Sequence, residues 1–154
     1  MTEFLNGLTR RQVMVGAGAA IVAVTLAPTG AVATPDTVAA EIKKLFGDKA
    51  MKEGKVTLDL PSIAENGLVV PLNFEVESPM TANDYVKAVY LWADGNPSPG
   101  IATFRYTPLA PKAASQIRIR LAKTQNIVAV AEMSNGDLYT TKKEVKVTIG
   151  GCGG

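Results

Sequence analysis

The sequence predicts an all-β protein, an immunoglobulin-like β-sandwich of seven to eight strands preceded by one short helix. Two observations carry this. Over most of the chain, apolar residues recur at every second position in runs of four to eight. Those runs are separated by clusters of Gly, Pro, Asn, Asp and Ser. Period-2 alternation gives a strand one apolar and one polar face, and closely punctuated short strands are the mark of a sandwich. A third observation sets the helix apart: only TPDTVAAEIKKLFGD, residues 34–48, keeps a helical period.

The elements are justified in chain order. Residues 1–33 read as a leader. The pair Arg10-Arg11 precedes an uncharged apolar run from Val13 to about Ala27. That run is roughly 15 residues, short of the ~20 a membrane-crossing helix needs. Pro28 and Gly30 break it, and Ala31-Val32-Ala33 has the small-x-small form of a cleavage site. This is a secretory leader of the twin-arginine (Tat) type, which places the protein in the periplasm with no membrane span after processing. An uncleaved N-terminal anchor is the alternative. Processing leaves a domain at 34–149 and a glycine-rich tail at 150–154.

In the helix, expected over about 36–46, Thr34 or Asp36 can cap the start. Pro35 suits the first turn, and Gly47 the stop. Val38, Ile42, Leu45 and Phe46 fall on one face, expected to pack on the edge of the domain. The period then changes to 2. Val56, Leu58 and Leu60 alternate with polar residues, as do Val70, Leu72, Phe74 and Val76. So do Ile117, Ile119 and Leu121, and likewise Val145, Val147 and Ile149. Further strands are expected near 85–93, 101–107, 127–133 and 137–141, with turns at Asp94–Gly100 and at the hairpin pair Asn135-Gly136.

Two strands break the pattern. Tyr85–Ala93 (YVKAVYLWA) and Ile127–Ala131 (IVAVA) are apolar on both faces. Such strands are either central in the sandwich or covered outside by another chain. For a single domain the central position comes first; a leader that exports folded protein keeps cover by a second polypeptide open, with at least partial cover in a stable heterodimer as the expectation to test.

Composition excludes most chemistry. The chain has no histidine and one cysteine. Ser-His-Asp and Cys-His pairs, histidine metal sites, CxxC redox pairs and cysteine clusters are therefore all impossible. Gly16-Ala17-Gly18 lies in the leader and follows no strand, so it is no nucleotide loop. Without the leader's Glu3, Arg10 and Arg11, the 16 basic and 14 acidic residues become 14 and 13. The basic residues gather late: eight lie in 105–154 against three carboxylates. That asymmetry can steer an anionic partner, but it is no nucleic-acid stripe.

What remains is the tail GGCGG, Gly150-Gly151-Cys152-Gly153-Gly154. A single thiol in an exported protein implies an intermolecular bond or a reactive group. Four flanking glycines offer no side chain to bury it. From Ile149 to Cys152 is three residues, at most roughly 10 Å extended. The tail is thus expected to be a thin, flexible carrier arm presenting Cys152, with Gly150, Gly151, Gly153 and Gly154 narrow enough to enter a channel. Nothing nearby in sequence activates the thiol: the closest cations are Lys142, Lys143 and Lys146, and the terminal carboxylate is adverse.

The twin-arginine leader, AEIKKLFGDK (Ala40–Lys49), ENGLVVPLNFEVESPM (Glu65–Met80) and the terminal GGCGG together resemble the SoxY family. That family comprises substrate-carrying subunits of periplasmic thiosulfate oxidation. The resemblance implies a non-catalytic carrier without a cofactor of its own, paired with a SoxZ-like β-sandwich partner. It implies that sulfur intermediates are attached at Cys152. A SoxAX-like haem protein would load them and a SoxB-like manganese hydrolase would release sulfate. A sulfane dehydrogenase would act where the organism has one. Three other readings compete. One is a ubiquitin-like sulfur carrier loaded on the Gly154 carboxylate, which the leader contradicts. Another is a structural or adhesion module with Cys152 in an intermolecular disulfide. The third is a lipid-anchored protein, disfavoured because Cys152 fits neither the prenylation box nor a lipoprotein site.

Overall fold

The computed structural model describes residues 32–151. Cys152, Gly153, Gly154, Arg10 and Arg11 lie outside the described residues, as does nearly all of the leader. Among the described residues one helix, α1 (Pro35–Phe46), precedes nine strands. They are β1 (Met51–Glu53), β2 (Val56–Asp59), β3 (Ile63–Asn66), β4 (Val70–Val76), β5 (Val86–Ala93), β6 (Gly100–Arg105), β7 (Ala113–Ile119), β8 (Gln125–Met133) and β9 (Leu138–Ile149). One sheet runs β1-β9-β8-β5-β6, with β3 also on β9, and the second runs β2-β4-β7. This is the expected immunoglobulin-like sandwich, with nine strands where seven to eight were expected.

Alternation places the core. Val70, Leu72, Phe74 and Val76 of β4 are all buried, and Pro71 and Glu75 between them are exposed. They meet Val89, Leu91 and Ala93 of β5 and Ile127, Ala129 and Ala131 of β8 in one cluster. Phe74 and Phe104 bring their rings to 5.0 Å across it. Each Val, Leu, Ile or Phe side chain among them contributes about 1.5–3 kcal/mol on burial.

The doubly apolar strands β5 and β8 are both internal in the large sheet, the first of the two expected alternatives. Their outer face is covered by α1 of the same chain. Trp92 of β5, Val130 of β8 and Leu138 of β9 form a second buried cluster with Val38 of the helix, and Ile42 and Phe46 pack against it. A second polypeptide is therefore not needed to account for these strands. The helix correspondingly lies on a sheet face and not on the domain edge. Leu45, expected on the packing face, is 55% exposed.

Local chemistry fits α1 to this place. Thr34 is its N-cap, and Thr34 and Thr37 exchange side-chain-to-backbone hydrogen bonds, satisfying two orphan N–H groups. Pro35 takes the first turn and Gly47 ends the helix at φ 68°, where a side chain would be strained. Trp92 Nε1–H donates to Glu41 Oε2 at 2.8 Å, tying helix to sheet. Tyr90 stacks on Trp92 with centroids 5.8 Å apart and meets the edge of Phe46 at 5.2 Å. Burial, and then the Glu132 carboxylate its hydroxyl donates to, push the Tyr90 phenol up from its ordinary value.

Trp92→Ala should cost about 3–5 kcal/mol, since it deletes a fully packed ring and leaves a cavity beneath the helix. For a domain of this size the thermal midpoint should drop by roughly 10–20 °C. Calorimetry checks this, and a loss below about 1 kcal/mol would mean that α1 is not seated on the sheet.

Candidate functional site at the root of the glycine arm

Strand β9 runs 12 residues. Its first eight pair antiparallel with β8, from Leu138 opposite Glu132 to Val145 opposite Gln125. On its other edge, β3 pairs parallel with its last turn of pleats, placing Asn66 beside Ile149. The chain therefore reaches the glycines next to the β3–β4 loop. The β7–β8 loop stands on the other side.

Both loops hold the glycines by backbone. The Gly67 N–H donates to the Ile149 carbonyl at 2.9 Å, and the Leu121 N–H donates to the Gly67 carbonyl at 2.8 Å. The Gly151 N–H donates to the Leu121 carbonyl at 3.0 Å. Gly151 is buried and Gly150 exposed. Gly150 and Gly151, expected in the free arm, are thus seated on the domain, and the packed chain continues past Ile149 through Gly151. Gly151 is the last described residue before the thiol. Since consecutive Cα atoms are ~3.8 Å apart, Cys152 begins within one residue of this anchor.

A polar network stiffens the β7–β8 side. Asn96 Oδ1 accepts from the Ala122 N–H at 3.0 Å and from Gln125 Nε2 at 2.8 Å. Asn96 Nδ2 donates to the Arg120 carbonyl at 2.9 Å. Gln125, 4% exposed, also accepts the Gly95 N–H at 2.8 Å. A buried amide is tolerable only when satisfied in this way. Asp94 accepts both the backbone N–H and the side-chain amide of Asn126, each at 2.8 Å. The root therefore sits on a braced rim.

Its surroundings mix apolar and basic groups. Leu68, Val69 and Ile149 expose 43%, 60% and 67% of their surface beside the glycines. Arg118 and Arg120 are exposed on and just past β7, leading to the Leu121 and Ala122 contacts. Among the described residues neither arginine is in an ion pair, whereas Lys43, Lys52, Lys87 and Lys112 are. Among these residues, too, no group of three His, Cys, Asp or Glu side chains could hold a metal ion, and no helix is long and apolar enough to cross a membrane.

Of the expected site residues, the structure thus places Gly150 and Gly151. Lys142 and Lys143 lie opposite Val128 and Ile127 on β9, and Lys146 lies opposite Ile63. Gly67, Leu121 and Asn96 belong to the site without having been expected there. The Asn66-Gly67 pair is a turn signal that could have pointed to Gly67, and Asn96 lies in the turn expected at Asp94–Gly100.

The described chain ends at Gly151, hydrogen-bonded to Leu121 beside the cysteine position, and comparison with known proteins places this β-sandwich in the class of carrier proteins of sulfur oxidation. The chain belongs to the SoxY family: the family model "Sulfur oxidation protein SoxY" matches residues 42–152. The structure is similar to the sulfur carrier protein SoxY from Chlorobium limicola f thiosulfatophilum. The two share 32% identity over 74% of this chain and 98% of that one, at TM-score 0.63. The superoxide reductase (neelaredoxin) of Ignicoccus hospitalis shares the fold alone, at 18% identity, covering 75% of this chain and 94% of that one with TM-score 0.56. A putative superoxide reductase of Thermotoga maritima does likewise, at 12% identity, 69% and 89% coverage and TM-score 0.53. Sequence comparison with curated proteins returned no match.

Proposed function

We propose that the protein is the covalent carrier of sulfur intermediates in periplasmic thiosulfate oxidation, holding them on the thiol of Cys152 and passing them between enzymes. One observation carries this reading: the match to the SoxY family ends at residue 152, the chain's only cysteine. The thiolate joins the outer sulfur of thiosulfate in a disulfide-type bond, giving Cys–S–S–SO3⁻ and delivering two electrons to a haem-protein partner. Water then attacks the sulfone sulfur, releasing sulfate and two protons and leaving a Cys–S–S⁻ persulfide. This chain supplies the thiol and its mounting. The redox step and the hydrolysis belong to the SoxAX-like and SoxB-like partners, and further oxidation of the persulfide to a sulfane dehydrogenase. The exposed Leu68, Val69 and Ile149 around the root support docking of other proteins at this end, among them a SoxZ-like subunit.

The leader supports export by the twin-arginine route, with cleavage after Ala33. Ala33 is buried and its N–H donates to the Asn96 carbonyl at 2.8 Å, so this cut removes one backbone tie to the braced rim. Mass spectrometry of the protein from the periplasm of cells oxidising thiosulfate tests both proposals. The expected chain begins at Thr34 and carries on Cys152 an adduct of composition S2O3, or one extra sulfur, removable by reductant. An adduct on the Gly154 carboxylate, or a chain loaded nowhere, would overturn the carrier reading. Recovery only in the cytoplasm with residues 1–33 intact would overturn the export reading.

A further inference from the structure

We propose that Gly67, Gly150 and Gly151 form a backbone clasp that sets how far Cys152 reaches from the domain, with Gly67 as a positioning residue for the thiol. The inference rests on the carrier reading only for why reach matters. The clasp itself follows from the packing.

The three glycines are needed for room and not for unusual dihedral angles. Among the described residues the glycines at positive φ are Gly47, Gly54 and Gly136. Gly67, Gly150 and Gly151 adopt backbone angles open to any residue, yet none has space for a side chain. A Cβ on Gly67 would overlap the Leu121 carbonyl oxygen and stand 2.8 Å from the Gly151 nitrogen and 3.0 Å from Val147 Cγ1. On Gly151 it would stand 2.9 Å from both the carbonyl carbon and the oxygen of Gly67 and 3.0 Å from the Leu68 nitrogen. On Gly150 it would overlap the Ala122 carbonyl. Nearly all of these obstructing atoms are backbone, which cannot rotate away. Gly100, by contrast, has nothing within 4 Å of such a Cβ.

The hydrogen bonds give the clasp its order of strength. Gly67 is held on both sides, by Ile149 and by Leu121, and Leu121 is fully buried. Gly151 is held by one bond to Leu121. The Gly151 link is therefore the one that releases first. Closed, the clasp keeps the Cys152 Cα ~3.8 Å beyond an anchored residue; open, three residues beyond Ile149 give a reach of roughly 10 Å. A methyl group at either face of the clasp holds it open.

The test uses the full mature chain with a fluorophore on Cys152, in Gly151→Ala, Gly67→Ala and Gly100→Ala. Three quantities are read: amide hydrogen exchange at residue 151, fluorescence anisotropy decay of the label, and the urea midpoint. Gly151→Ala should speed exchange at least tenfold and quicken label rotation, with the urea midpoint unchanged. Gly67→Ala should do the same to exchange and rotation, and Gly100→Ala should change nothing. Should Gly67→Ala fail to fold, Gly151→Ala decides alone, because its contacts lie at the chain's end. Exchange and rotation in Gly151→Ala equal to wild type would overturn the clasp, as would equal acceleration by Gly100→Ala. None of these readouts involves cargo, so a failed clasp leaves the carrier reading standing, and an absent adduct leaves the clasp standing.

Discussion

Cys152→Ser is expected to lose sulfur loading below detection while leaving the domain as stable as wild type. The chemistry admits no partial substitute. Loading forms a sulfur–sulfur bond from a thiolate, and thiolate is the nucleophilic form of cysteine. A serine hydroxyl neither ionises comparably nor forms such a bond, and no second cysteine exists to take over. Stability should stay within about 0.5 kcal/mol, the range of substitutions away from packed features. The reason is that, among the described residues, both hydrophobic clusters close within residues 38–147 and the last backbone tie is made by Gly151. The measurement is adduct mass after incubation with thiosulfate and the loading partners, beside a urea melt. Loading of the serine variant would end the covalent-carrier reading. A stable disulfide-linked dimer as the working form, lost in the same variant, would instead favour a structural module.

Particular residues show why some of this was legible in sequence. Val70–Val76 announces both its strand and its buried face because one face is wet, and alternation is the direct record of that asymmetry. Where both faces are dry the record fails. Trp92 and Val130 are as apolar as the interior residues beside them, and sequence does not say whether a partner or a helix covers them. The answer lay in α1, whose Glu41 reaches Trp92 across 51 positions. β1 and β3 were invisible for another reason. They are three and four residues long, mostly exposed, and exist because β9 offers each a parallel edge. β9 itself was expected as two strands, since Lys142-Lys143-Glu144 interrupts its apolar run. Those residues face Val128, Ile127 and Asn126 in unbroken register, so pairing carries the strand through a polar stretch. At the site, composition revealed the thiol and its glycines. It did not reveal that two of them are packed, because the atoms that exclude a side chain there belong to Gly67, Leu68 and Ala122, distant in sequence and contributing only backbone.

That packing decides which glycine tests the arm's access to partner enzymes. A valine at position 151 would strike Gly67 and open the root, so any lost transfer would have two causes. Gly153→Val lies beyond the thiol and beyond the last described contact, and it isolates girth. A β-branched side chain stiffens its own backbone and widens a segment otherwise no thicker than main chain. Labelling of Cys152 by a small thiol reagent should stay near the wild-type rate, because a small molecule approaches from open solvent. Turnover by a reconstituted set of loading and hydrolysing enzymes should fall on the order of 10²-fold, the cost of misplacing a reacting atom by about 1 Å. The fall should appear chiefly in kcat, since docking through the domain surface is unchanged and only the seated position of the sulfur is wrong. Gly153→Ala, with a single methyl, should fall between the two. Turnover of Gly153→Val equal to that of wild type would mean that partners meet the cysteine at their surface, and that the terminal glycines do not serve entry into a channel.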